Sequence, residues 1–187
     1  MNNSLLRPVF LSLLLGMWAA LAMTPAQGDE ASNRIVKLNG GYYLLHTLAE
    51  DEAQLPLLLV VKHAPPGIAP YADQISKTAK KTLATLERLQ EADPSIQFDR
   101  NPLPQIEQDT RASIKADKQH QLLFGTSDAE FARALLLSQI EACSYALNLS
   151  KVLGEQETDP DRSKTLRHLS AQWLDRRSEA FRLLRDF

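Results

Sequence analysis

Cysteine is almost missing from this chain: its 187 residues hold one, Cys143. No intrachain disulfide can form, so the fold must rest on its apolar core. Glycine is scarce, with seven residues, and no Gly-rich phosphate loop, Gly-x-Ser-x-Gly or His-Glu-x-x-His pattern occurs. There is no Cys-x-x-Cys redox pair and no Cys-x-x-Cys-His haem attachment motif. A di-iron carboxylate centre needs Glu-x-x-His on two helices, because side chains at i and i+3 meet on one face. None of the eleven glutamates has histidine three residues on. No catalytic residue and no cofactor is therefore assigned.

Clustered positive charge is also lacking. The formal net charge is -2, and the pairs Lys80-Lys81 and Arg176-Arg177 are short and interrupted by acids. They read as solvated helix faces, and a nucleic-acid partner, which requires a clustered positive excess, is not expected.

Long apolar runs are absent except at the N-terminus. There a short polar stretch with Arg7 precedes VFLSLLLGMWAALA, residues 9–22, and small residues follow. This layout predicts a secretory signal peptide over residues 1–22, cut after Ala22 or after Ala26. An uncleaved anchor is the other reading, although the run falls short of the roughly 20 residues that span hydrocarbon. Removing Arg7 takes the net charge from -2 to -3. The expected location is periplasmic or secreted.

What is present is helical periodicity. Residues 23–33 lack it and read as a flexible tail before a domain over 34–187. Ile35, Leu38, Tyr42, Leu45 and Ala49 predict a helix from about Arg34 to Lys62, weakened at Gly40-Gly41 and broken at Pro56. After Ala64-Pro65-Pro66-Gly67, a stripe of Ala72, Ile75, Ala79, Leu83, Leu86 and Leu89 predicts an amphipathic helix ending near Ala92. Lys77, Lys80, Lys81 and Arg88 lie mostly off that stripe. Ile96, Phe98 and Leu103 in the proline-rich connection should pack onto the helices.

A third helix, from Pro104 to about Phe124, has a poor stripe and should be the least buried. Ser127-Asp128-Ala129-Glu130 is a capping box, opening a helix with Phe131, Leu135, Leu136, Gln139, Ile140, Cys143, Ala146 and Leu147 on or beside one face. Gly154 is its expected stop. Asp159-Pro160 pairs an N-cap with a first-turn proline for the last helix. Trp173, Phe181 and Tyr145 are read as core or stripe aromatics. No segment alternates as a strand does. The expected class is all-α, an up-down four-helix bundle with an extra short helix.

Candidate ligating residues are few. His46 and Glu50 share a helical face and could supply part of a metal shell, though two ligands do not make a site. His63 precedes Ala64-Pro65-Pro66 and suits a helix C-terminus. His120 and His168 lie among polar neighbours. Cys143, on an apolar face, reads as a small core residue, and Gln139 beside it needs a partner.

The segments PGIAPYADQISKTAKKTLATLERL, FARALLLSQIEACSYALNL and LRHLSAQWLDRRSEAFRLL resemble a family of ferritin-like, exported bacterial four-helix bundles of unknown function. The likeness spans most of residues 42–185. It implies a ferritin-like frame and a location outside the cytoplasm. The family often carries histidines in the second and the last two helices, and the matching positions here hold Ala79, Cys143 and Arg177. Any metal role implied by the likeness is thereby put in doubt.

The leading expectation is a non-enzymatic binding or envelope-associated structural module with an unknown protein or envelope partner. The alternative is a degenerate ferritin-like metal-binding protein using scattered carboxylates with His46. Membrane contact through the last helix is a third possibility, because residues 161–186 hold seven Arg/Lys against four Asp/Glu.

Overall fold

The computed structural model describes residues 27–62, 64–124 and 127–187, with side chains from residue 34 onward except that of Val61. The proposed leader, its two cleavage positions and His63 lie outside the described residues. Among the described residues the chain is all-helical: α1 (Gln27–Ala53), α2 (Leu55–Val61), α3 (Ile68–Ala92), α4 (Gln105–Leu123), α5 (Asp128–Gln156) and α6 (Pro160–Leu184). No helix among them is long and apolar enough to cross a membrane.

Local chemistry accounts for most boundaries. Ser127 Oγ accepts from the Glu130 N–H while the Glu130 carboxylate accepts from the Ser127 N–H, so the capping box opens α5 as expected. Asp159 accepts from the Arg162 N–H at 2.8 Å and Pro160 fills the first turn of α6.

Several boundaries differ from the expected ones. Helix α1 starts at Gln27 rather than near Arg34. The chain breaks at Gln54, and Pro56 then sits in the first turn of α2, where a missing N–H costs no hydrogen bond. Gly154 does not end α5, which runs on to Gln156. Gly154 is instead a contact point: a Cβ there would lie 3.1 Å from the Ser163 carbonyl oxygen and 3.3 Å from Leu166 Cβ. The missing side chain lets α6 start hard against the end of α5. Gly41 acts likewise between α1 and α5, since a Cβ would meet Leu153 Cδ2 at 2.6 Å. The short helix is α2; the additional helix α4 has 19 residues.

Helices α5 and α6 pack along most of their length, α1 pairs with α3, and α1–α5 and α3–α6 contacts close the ring. Tyr42 and Leu45 from α1, Ile75 and Leu86 from α3, Phe131 and Leu136 from α5, and Leu166 and Trp173 from α6 are fully buried between them. Cys143 is also fully buried, as its position on the stripe implied. Ile96 in the connection packs into the core, with Phe98 against it.

Helix α4 stays outside, burying only Leu122 among its residues, as its poor stripe implied. Ion pairs Lys115–Asp51 (2.6 Å) and Lys118–Glu141 (2.5 Å) hold it against α1 and α5. Two aromatics read as core or stripe are exposed. Tyr145 is 38% exposed because it faces α4, where the Arg111 guanidinium lies 5.7 Å from its ring, and Phe181 is 51% exposed on the outer side of α6.

Candidate functional site

The most distinctive surface is built by α3 and α6 together. On α3, Lys77, Lys81, Ala84 and Arg88 recur at helical spacing, so all four lie along one face, with Lys80 beside them. This face lies off the buried stripe of Ile75, Ala79, Thr82 and Leu86. From α6, Lys164, Thr165, His168, Gln172 and Arg176 come up against it. Between the helices run two open depressions of about 680 and 640 Å³, which share Lys81, Ala84 and Gln172 and so form one groove. Ala84 lies at the shared middle, and its small side chain leaves the floor open. Leu169 supplies apolar floor beside it.

The charge balance is one-sided. Lys77, Lys80, Lys81, Arg88, Lys164 and Arg176 line the groove against two acids, Asp161 and Asp175. Arg176 is committed, donating to Glu179 Oε2 at 2.8 Å and to Gln74 Oε1. The other five cations take part in no ion pair among the described residues, although Arg88 donates to the Ala84 carbonyl and to Thr85 Oγ1, both at 3.1 Å. Unpaired like charges along one concave surface raise the local positive potential and attract anions.

The positive excess of the last helix is thus not one surface. Arg162 is spent on Glu157 (3.0 Å) and Asp93 (2.6 Å), and Arg167 donates to Ser163 Oγ at 2.7 Å. Only Lys164 and Arg176 among the Arg and Lys side chains of α6 reach the groove, where α3 supplies the rest. The α3 lysines were visible as an off-stripe set, but the pairing of α3 with α6 was not legible from either helix alone.

The residues singled out from sequence lie elsewhere. His46 Nδ1 is 3.5 Å from Glu50 Oε2, and its ring stacks on Phe98 with centroids 4.7 Å apart. Among the described residues no group of three or more His, Cys, Asp or Glu is placed to hold a metal. His168 lies at the groove, with its Nε2 2.7 Å from Gln172 Nε2, and His120 is exposed beside Phe124.

A buried polar group that sequence reading missed is Glu52. It sits near the end of α1, 9% exposed, with Gln139 of α5 against it. Burial raises the Glu52 carboxyl to about 7; contact with the Gln139 amide works against this, Asp51 adds to it, and Lys115 and Lys118 of α4 pull it down. Glu52 Oε2 and Gln139 Oε1 are both buried without a hydrogen-bond partner. Burial likewise pushes the Cys143 thiol up to about 12, so it is an unreactive neutral thiol rather than a nucleophile.

Among known proteins, no family model, no curated protein and no solved structure matches this chain.

Proposed function

We propose that this protein is a non-enzymatic binding module of the cell envelope that holds an anionic partner in the α3–α6 groove. One observation carries the reading: Lys77, Lys80, Lys81, Arg88 and Lys164 converge on a single groove with no ion-pair partner among the described residues. The five cations add their fields along one surface, and an anionic ligand lying in the groove is attracted by all of them together. The envelope location rests on the signal-like N-terminus.

The frame is read as ferritin-like, on the following support. Asp93 at the end of α3 pairs with Arg162 at the start of α6, while Gln74 near the start of α3 meets Arg176 late in α6. Helix α4 leaves from the Asp93 end and reaches Asp51, at the far end of α1, through Lys115. It acts as a long crossover between two helical pairs, α1–α3 and α5–α6, a connection found in ferritin-like folds.

The test is binding of the purified protein to polyaspartate, inorganic polyphosphate and vesicles containing anionic lipid, at low and at high salt. Binding of at least one of these, weakened by salt and reduced in the Lys81→Glu/Lys164→Glu double variant, is the expected result. If all three anions fail to bind at low salt, the reading is wrong.

A further inference from the structure

We infer that the occupant of the α3–α6 groove is a short acidic stretch of extended polypeptide, about five residues long; this rests on the anion-binding reading above. The length follows from the placement of charge. Lys77 and Arg88 mark the cationic stretch of α3 and stand roughly 17 Å apart at 1.5 Å per helical residue. An extended chain advances about 3.3 Å per residue, so about five residues match it. Asp161 lines one end of the groove and Asp175 the other. By the same helical rise they are roughly 21 Å apart. An anionic chain running past them meets like charge, so the acidic stretch is bounded at both ends.

The uncharged groups decide between a peptide and other anions. Thr78 Oγ1 donates its proton to the Gln74 carbonyl at 2.9 Å, and Thr165 Oγ1 donates to the Asp161 carbonyl at 2.8 Å. Their oxygens remain available only as acceptors toward the groove. Gln172 Nε2 lies against His168, so Gln172 offers its carbonyl oxygen as a third acceptor and its second N–H as a donor, and the Thr85 hydroxyl, which accepts from Arg88, is a further donor. Acceptors and donors set together among lysines suit a ligand that brings N–H donors and carbonyl acceptors along with its negative charge. A peptide backbone does so, whereas polyphosphate carries acceptors alone. No Phe, Tyr or Trp lines the groove, and its one imidazole, His168, is held against Gln172, so it offers no broad platform for bases to stack on. The groove runs lengthwise between two helices over Ala84 and Leu169, a shape that fits a single chain laid along it.

The experiment is fluorescence anisotropy with a labelled peptide of five glutamates flanked by Gly-Ser, competed with inorganic polyphosphate of matched charge and with phosphatidylglycerol vesicles. The peptide should bind at least roughly tenfold more tightly than polyphosphate. Lys81→Glu/Lys164→Glu should weaken both by roughly tenfold or more, as unlike charge becomes like charge. Thr78→Val/Thr165→Val, at surface positions whose circular dichroism should match the parent, should weaken the peptide alone by roughly three- to tenfold, the loss of one or two hydrogen bonds. Polyphosphate or vesicles binding as tightly as the peptide would overturn the peptide assignment and leave the anion reading standing. So would a threonine variant with unchanged peptide affinity. Failure of every anion to bind would overturn both.

Discussion

Glu157 and Glu52 are both carboxylates withdrawn from water, and the molecule treats them in opposite ways. Glu157, just past α5, has a side chain only 2% exposed. Tyr42 donates to its Oε1 at 2.6 Å and Arg162 Nε donates to its Oε2 at 3.0 Å. Arg162 goes on to Asp93 at 2.6 Å, and Asp93 accepts from the Ser95 hydroxyl and N–H. Those Ser95 bonds, more than the guanidinium, hold the Asp93 carboxyl below its usual range. Burial and then the Glu157 carboxylate push the Tyr42 hydroxyl well above its ordinary value, so it stays a donor. Four segments are tied together beside the middle of α1.

Ten residues further on, at the C-terminal end of α1, Glu52 has the Gln139 amide beside it and an orphaned oxygen. The difference teaches what a buried carboxylate needs. With a cation and a hydroxyl donor in place it can be charged; without them it is more stable carrying a proton.

The comparison can be broken most severely at Arg162. Arg162→Ala leaves Glu157 buried without its charged donor and should lower unfolding stability by about 3 kcal/mol, the lower part of the range for breaking a buried pair because the guanidinium is partly exposed. Urea titration near neutral pH measures it; a loss below about 1 kcal/mol would mean that the pair is effectively solvated.

Glu52→Gln should act in the other direction and depend on pH. The folded carboxyl titrates at about 7 against an ordinary 4.5. The folded state therefore holds the extra proton between these values, and native stability falls as pH rises from 4.5 to 7. Above 7 the full penalty is present, at most about 3 kcal/mol at 1.36 kcal/mol per pH unit. The glutamine variant lacks this dependence and should be more stable than the parent at pH 8, by about 2 kcal/mol once some water penetration is allowed for. Parallel thermal melts at pH 5 and pH 8 check it: an equal gap at both pH values would show that Glu52 is not titrating in this range.

Tyr42→Phe removes one donor from Glu157 and keeps Arg162. The expected cost is about 1.5 kcal/mol, typical of a hydrogen bond to a charged group. A double-mutant cycle with Arg162→Ala would show whether the two donors act as one network.

Smallest of all is Lys81→Glu in the groove. Its stability should stay within about 0.5 kcal/mol of the parent while anion binding drops, because exposed charges contribute little to folding. A large stability loss there would move the groove lysines from the binding account to the structural one.

Much of the fold was legible because its signals are local. The capping box at Ser127, the Asp159-Pro160 start and the stripe ending at Ala92 each involve groups a few residues apart, and the structure agrees with them. Gly154 was misread because glycine marks both helix ends and close helix contacts, and only the position of Ser163 distinguishes the two. Tyr145 was misread because periodicity cannot say that α4 stands off α5 on long side chains. Gln139 was recognised as needing a partner, but Glu52, one turn beyond Leu48 and Ala49 and next to Asp51, was not singled out. The groove was half legible: the α3 lysines stood off the apolar stripe and the last helix showed a basic excess, but that the two sets meet was not visible.

The amino-acid sequence alone set where helices form, where they stop and which stripe of each is apolar, because backbone hydrogen bonding, capping and side-chain spacing act within a few residues. Tertiary structure decided which stripes face each other and therefore which polar groups meet. Arg176 joins Gln74, Tyr42 joins Glu157 and Glu52 joins Gln139 across gaps of many residues. Those meetings depend on how four helices share one core, and solvation and charge pairing follow from the packing rather than from any single segment.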